Sequence, residues 1–156
     1  MSEHPTAKQI QVIIEDLLTA LGVSYSEVLA DTTDPTRPEF RIAADDGKTL
    51  IGPKGEHLQA LSTLAHQIVR KQLGTEAANF SIDVNRYREQ AREGLIQKAK
   101  MYADRARSFK SSISVEPMSS YERFIIHEVL GEASDIETCS EGSGSYRHIV
   151  IKYIGD

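Results

Sequence analysis

Between Leu50 and Val69 the sequence reads LIGPKGEHLQALSTLAHQIV, an apolar helical repeat preceded by a glycine bracket, Gly52-Pro53-Lys54-Gly55. Leu58, Leu61, Leu64, Ala65 and Ile68 recur at three- and four-residue steps, so a helix with one apolar face runs to about Leu73, where Gly74 stops it. Upstream, Lys48 to Ile51 has room for only a single helical turn. The bracket therefore joins a short turn of helix to the start of a long one. A bare turn needs only one glycine, and a buried turn has no use for a lysine. Glycines without Cβ let another backbone approach closely. The first turn of a helix offers unpaired N–H groups and the positive end of its dipole, and Lys54 adds a mobile cation. Together these suit a phosphodiester. By itself G-x-x-G is weak, since about 0.7 matches arise by chance in a chain this long; its setting must carry the argument.

That setting is a mixed half-domain. Ile10, Ile13, Ile14, Leu17, Leu18 and Leu21 give a first helix one apolar face, with Thr6 as cap and Gly22 as stop. Residues 23–30 (VSYSEVLA) and 39–44 (EFRIAA) are rich in strand formers and are separated by the turn material DTTDPTRP, which predicts an antiparallel pair. Asp45-Asp46-Gly47 ends the second strand, and FSIDVN at 80–85 alternates Phe80, Ile82 and Val84 with polar residues as a half-buried strand should.

A second unit is predicted from residue 86. Residues 86–110 contain no proline and one glycine, and place Ala91, Leu95, Ala99, Tyr102, Ala103 and Ala106 on one side of a long helix. SISVEPM follows as a strand, then SSYERFIIHEVLG as a helix capped by Ser119 or Ser120 and ended by Gly131. IETCSE and YRHIVIKYI, joined through GSGS, close the chain as a hairpin. In the helix, Arg123 and His127 are four apart and share a face, while Phe124, Ile125, Ile126, Val129 and Leu130 take the core-facing side and its flanks. No linker rich in Gly, Ser or Pro separates the halves.

The net charge of −5 counts against a polyanion partner, but its distribution does not. Residues 1–85 carry the whole excess of acid. Residues 86–110 hold Arg86, Arg88, Arg92, Lys98, Lys100, Arg105, Arg107 and Lys110 against Glu89, Glu93 and Asp104, a local balance of +5. Such a stripe predicts modest, site-restricted affinity for phosphates. Cys139 is the single cysteine, which excludes an intramolecular disulfide and an all-cysteine metal site and suits a reducing compartment. No apolar run approaches a membrane span, and MSEHPTAKQIQ has neither the basic nor the apolar region of a secretory signal, so a cytoplasmic protein without membrane insertion is expected.

LIGPKGEHLQALSTLAHQIV resembles the I-G-x-x-G-x-x-[I/L]-x-x-[I/L] signature of KH domains, and the element order looks like their bacterial, type II arrangement. The resemblance implies that Gly52, Pro53, Lys54 and Gly55 guide a sugar–phosphate chain, and that Ile51 with neighbours such as Ile42 lines the groove where unstacked bases rest. Residues 86–156 resemble an Arg-x-x-x-His ("R-three-H") domain, which binds single-stranded nucleic acid. More closely, Glu116-Pro117-Met118, Tyr121-Glu122-Arg123 and Ile125-Ile126-His127 are similar to the C-terminal domain of the bacterial Jag, or KhpB, family of SpoIIIJ-associated RNA-binding proteins. So are Ser140, Glu141, Gly142, Gly144, Arg147, Val150, Ile151 and Lys152, and the stretch DVNRYRE resembles the family's junction between two domains. The likeness spans about residues 8 to 154. Many members carry a further N-terminal domain and charged linker, which this sequence is expected to lack, so that domain's role does not transfer.

The fold class expected is thus α+β. A type II-like KH domain (1–85: helix, strand, strand, short helix, G-x-x-G, helix, strand) precedes an Arg-x-x-x-His domain (86–156: long helix, strand, helix, hairpin). Arg123 offers a fork of donors to a phosphate. His127 can donate to a phosphate oxygen or stack on a base, with a charge that changes near neutral pH. Arg147, and Arg86, Arg88 and Arg92 on the long helix, extend the cationic surface, and Tyr121 either stacks or packs. Walker, nucleophile-elbow, dinucleotide and H-E-x-x-H motifs are all absent, so no enzyme and no cofactor or metal is expected. The partner expected is single-stranded RNA, or single-stranded DNA, used in post-transcriptional regulation or RNA chaperoning. The competing reading is a scaffold that docks on a second KH protein, on another copy of itself or on the ribosome.

Overall fold

The computed structural model describes residues 7–156, so the Thr6 cap lies outside the described residues. The chain divides into two compact units, Met1–Arg88 and Glu89–Asp156, each with its own apolar core. The architecture is α+β, with one small sheet in each unit.

In the first unit, α1 (Ala7–Ala20) buries Ile10, Ile13, Ile14 and Leu18. It ends in a Schellman arrangement, Val23 N–H donating to Leu18 O and Gly22 N–H to Thr19 O. Leu21 falls beyond that end and is exposed rather than part of the apolar face. Strands β1 (Tyr25–Asp31) and β2 (Glu39–Ala44) are antiparallel, as the intervening turn residues predict. After α2 (Gly47–Ile51) and α3 (Glu56–Leu73), β3 (Ser81–Val84) pairs parallel to β2, giving the order β1-β2-β3. Phe40, Ile42, Ile82 and Val84 fill the core beside α1 and the Leu58, Leu61, Ala65, Val69 stripe of α3. Leu64, predicted on that stripe, is exposed. The Phe40 and Phe80 rings meet edge to face at 5.7 Å, and the His66 ring stacks on Phe80 at 4.1 Å.

β3 is not the half-buried strand its alternation suggests. Asp83 is only 6% exposed, and its carboxylate accepts the N–H groups of Val84 (3.0 Å) and Arg88 (3.3 Å). Burial raises its pKa, and those two hydrogen bonds oppose the rise. Asp83 thereby ties down the start of α4 (Tyr87–Phe109), whose Arg88 N–H would otherwise lack a partner in the first helical turn. Asn85 completes the corner in a left-handed conformation (φ 50°): it accepts the Ala44 N–H at 3.0 Å and donates to the Ala44 carbonyl at 3.1 Å.

In the second unit α4 presents Ala99, Ala103 and Ala106 to the core; Ala91, predicted on the same side, is exposed. The small side chains allow close approach to α5 (Ser120–Leu130), β5 (Ile136–Glu141) and β6 (His148–Tyr153), where Ile126, Leu130, Ile136, Ile149 and Ile151 are buried. The predicted strand SISVEPM shrinks to β4 (Ile113–Ser114). Pro117 has no N–H to continue a ladder, and only Val115 and Met118 donate onward, to Ile149 O and Arg147 O. The sheet is antiparallel throughout, in the order β4-β6-β5. Arg107 is clamped by Asp135 (2.6 and 2.8 Å) and by Asp104 (2.9 Å), so it is a structural residue and not a solubilising charge.

Removing the Asn85 bridge tests this account. Asn85→Ala loses two hydrogen bonds and strains a left-handed backbone, for an expected loss of about 2 kcal/mol. Asn85→Gly loses only the hydrogen bonds, about 1 kcal/mol. Urea midpoints of the full chain measure both, and two unchanged midpoints would show that the bridge carries no stability.

Candidate nucleic-acid interface

The glycine bracket is built by its neighbours. Asp46 caps α2, its carboxylate accepting Thr49 N–H (3.2 Å) and the Thr49 hydroxyl (2.5 Å), which hold its pKa below the ordinary value. The chain leaves α2 at Gly52 (φ 72°, ψ 179°), makes one 3-10 turn over Pro53–Gly55, and enters α3. Lys54 (φ 52°) and Gly55 (φ 79°) are both left-handed. Gly55 supplies no side-chain cap, so the first N–H groups of the 18-residue α3 have no side-chain acceptor from the cap position.

The glycines are not bare for the reason their spacing suggests. A Cβ on Gly52 would lie 2.7 Å from His57 Nδ1, and one on Gly55 would lie 2.9 Å from Tyr87 Cε1. The protein's own rings fill both places, and His57 Nδ1 is also 2.7 Å from Thr49 O. What the loop offers outward is its tip, where Pro53 and Lys54 are exposed and Gly52 and Gly55 half-exposed. Lys54 has no hydrogen bond or ion pair among the described residues. Ile51 is half-buried against the core, but Ile42 is 1% exposed and cannot line a groove. Because Tyr87 seats on Gly55, the exposed residues Arg86 and Arg88 flank the segment that supports the loop, within the first unit. Their predicted companion Arg92 lies in the second unit, paired with Glu128 at 3.5 Å. The predicted grouping of all three with Arg123 is therefore not a property of either unit alone.

In the second unit a capping box starts α5: the Ser119 hydroxyl accepts Glu122 N–H (3.3 Å), and Glu122 accepts Ser119 N–H (2.7 Å). Arg123 reaches back over that start, donating to Met118 O (2.8 Å) and to the Ser120 hydroxyl (3.1 Å). Two of its five N–H groups are thus committed and the residue is half-buried. His127 spans to β5, Nδ1 at 2.7 Å from the Thr138 hydroxyl and Nε2 at 3.2 Å from the Ser140 hydroxyl. A neutral imidazole satisfies both, donating through one nitrogen and accepting at the other. Burial, and then the charge of Arg123, push the His127 pKa below 6.5. The titration expected near neutrality is displaced downwards, and at neutral pH Arg123 alone carries the charge of the pair. Met118, whose carbonyl accepts from Arg123, donates its N–H to Arg147 O (3.1 Å), and the Arg147 guanidinium donates to Gly142 O (3.2 Å), so the start of α5 and the segment before β6 are tied through Met118.

The basic stripe on α4 is thinner than its sequence suggests. Lys98 pairs with Glu116, Arg92 with Glu128 and Arg107 with Asp135. Exposed aromatic groups, by contrast, exceed what the sequence predicts. Phe124, predicted on the core side, is 60% exposed, and Tyr146, not singled out, is 78% exposed; Tyr121 is exposed as well. The signal for Phe124 was available in its three-residue step from His127, which is itself off the buried face.

Comparison with known proteins places these features in a family. A family profile described as the R-three-H domain matches residues 93–153. The chain is 35% identical over 138 residues to RNA-binding protein KhpB of Bacillus subtilis (strain 168), covering 83% of this chain and 66% of that protein. It is 36% identical over 138 residues to RNA-binding protein KhpB of Clostridium symbiosum, covering 88% of this chain and 62% of that protein. RNA-binding protein KhpB of Streptococcus pneumoniae serotype 2 is 27% identical over 142 residues, with 91% and 41% covered. The chain thus spans a little under two thirds of the length of the first two relatives.

Two outcomes follow from the geometry. Gly52→Ala is expected to cost about 2 kcal/mol, but only about 1 kcal/mol in a His57→Ala background, because the collision disappears and the left-handed strain stays. A double-mutant cycle by urea denaturation measures the difference, and strict additivity would mean that the ring does not dictate the glycine. For His127, the unfolded chain takes up a proton as pH falls through 6.5 while the folded chain resists. Stability present above 6.5 is therefore lost below it, and His127→Gln should flatten that loss in urea titrations at about pH 7.5 and about pH 5.5.

Proposed function

The chain belongs to the KhpB family and contains an R-three-H domain, and from that premise we propose that it binds single-stranded RNA through two separate sites, one in each unit. The observation that carries this reading is the loop tip of Pro53 and Lys54, an unpaired cation held outward at the uncapped start of α3. Phosphate oxygens suit such a place, since backbone N–H groups, the helix dipole and a mobile ammonium all favour negative charge there. The helix-strand-strand-helix-loop-helix-strand order, with β3 parallel to β2, supports a type II KH-like domain over residues 1–85. Gly52, Pro53, Lys54 and Gly55 then guide the backbone, Ile51 meets a base, and Arg86 and Arg88 add charge beside the loop's support.

In the proposed Arg-x-x-x-His domain, 86–156, Arg123 and Arg147 contact phosphate, and His127 acts by fixing α5 to β5 and by carrying one polar edge of the site. Binding without catalysis is proposed, in the cytoplasm and with no cofactor, as a post-transcriptional regulator or RNA chaperone. No helix among the described residues is long and apolar enough to cross a membrane.

Lys54→Gly isolates the charge from the fold. Glycine adopts the left-handed conformation freely, which offsets its greater freedom when unfolded, so stability should change by no more than about 0.5 kcal/mol. RNA affinity should fall several-fold, and the salt dependence of log K should flatten by about 0.7, one single-strand phosphate contact. Arg123→Ala should flatten it again. Fluorescence anisotropy on a labelled single-stranded RNA across a salt series reads both, and slopes unchanged in both variants would leave the scaffold reading in place.

A further inference from the structure

We infer that Phe124 and Tyr121 form a stacking platform for one base of the bound strand, next to the phosphate site of Arg123. This rests on the single-strand reading above and assigns the part of the site that reads a base. On α5 the order Tyr121, Phe124, His127 advances in steps of three, so Phe124 neighbours Tyr121 on one side and His127 on the other along the helix surface. Phe124 is 60% and Tyr121 61% exposed, while Ile125 and Ile126 on the core side are buried. Scattered exposed aromatics are ordinary. Two placed a turn apart, on a helix pinned by a capping box and by the His127 bridges to Thr138 and Ser140, make a rigid apolar strip beside a cation.

The polar half of the site needs such a strip. His127 is neutral with both nitrogens engaged, and Arg123 has committed two N–H groups to Met118 and Ser120. Electrostatics there amounts to one guanidinium with two of its donors turned to neutral acceptors, enough to place a phosphate but a weak source of affinity on a chain of net charge −5. The occupant that fits exposed rings on the same exposed part of α5 as a phosphate donor is a nucleotide, its base on the ring and its phosphate on Arg123. Stacking uses the π-face common to all bases, so the platform tolerates sequence and favours purines for their larger face.

The test uses the full chain, a fluorescein-labelled single-stranded adenine oligonucleotide of about 12 residues, and an abasic strand with the same backbone. Phe124→Ala should weaken binding to the adenine strand about tenfold and leave the abasic strand and the salt slope unchanged. Phe124→Leu, which keeps apolar bulk without a π-face, should behave like Phe124→Ala. The chain has no tryptophan, so Phe124→Trp gives a single tryptophan whose emission is quenched by the unlabelled adenine strand and not by the abasic one. Arg123→Ala should weaken both strands alike. If Phe124→Ala and Phe124→Leu bind the adenine strand as well as the parent while Arg123→Ala does not, or if Phe124→Trp is not quenched, the platform is wrong and the phosphate reading survives. If the parent binds neither strand, both fall. Circular dichroism identifies any variant that fails to fold, and the tryptophan readout remains for the platform in that case.

Discussion

Three glycines around α2 each accept a side chain where a Cβ would stand: Asn85 against Gly47, the His57 ring against Gly52, and the Tyr87 ring against Gly55. Everything proposed for the first unit depends on these contacts. The same Asn85 bridges both polar groups of Ala44, and Asp83 two residues earlier receives the Val84 and Arg88 N–H groups. The segment 83–88 is therefore a clamp that holds the end of β2, the start of α2 and the loop together. A loop with positive φ at Gly52, Lys54 and Gly55 has few alternatives once its neighbours are so placed. Ordering cost is met during folding and not during binding, which is how a small cationic tip keeps useful affinity.

The second unit solves a different problem. Its polar pair is largely committed to its own fold: Arg123 reaches the segment before α5, and His127 reaches β5. The pair orients more than it charges. A neutral, half-buried imidazole fixes the distance between helix and sheet at the place where ligand contact is proposed, and the full charge of Arg123 is directional because the guanidinium is anchored at two points. The ion pairs that α4 makes with Glu116, Glu128 and Asp135 reduce the local field further, which shifts selectivity from long-range attraction to short-range shape.

Much of this was legible in the sequence where the signal is local. Strand 39–44, the stop at Gly74, a serine cap at Ser119 or Ser120 and the i, i+4 spacing of Arg123 and His127 on one helix all depend on residues within a few positions of one another, and the antiparallel β1–β2 pair on the turn residues between its strands. The failures depend on what the strand and helix patterns do not show. Asp83 looked like the outward residue of an alternating strand until Val84 in the strand and Arg88 at the start of α4 supplied the N–H groups that make its burial tolerable. Arg107 looked like one more surface cation because Asp135 lies 28 residues away. Phe124 was grouped with the core-facing side and its flanks, whereas the helix angle puts it with His127 in the exposed part. The bracket shows the subtlest gap: its glycines were identified for ligand approach, yet what excludes their Cβ atoms is His57 and Tyr87, and Tyr87 is far downstream of the glycine it covers.

The sign of the net charge decides how these sites must work. The net charge of −5 repels RNA over approaches within about the Debye length of about 8 Å and is screened beyond it, so encounter is not accelerated as it is for a basic protein. Added salt then acts in two directions, weakening each phosphate contact while screening the overall repulsion. Contacts that involve no counterion release, such as ring on base, keep their strength through that exchange. An acidic binder with few available cations is thus driven toward aromatic and backbone recognition, and the exposed rings of Tyr121 and Phe124 lie on the same helix as the guanidinium of Arg123, where that demand arises.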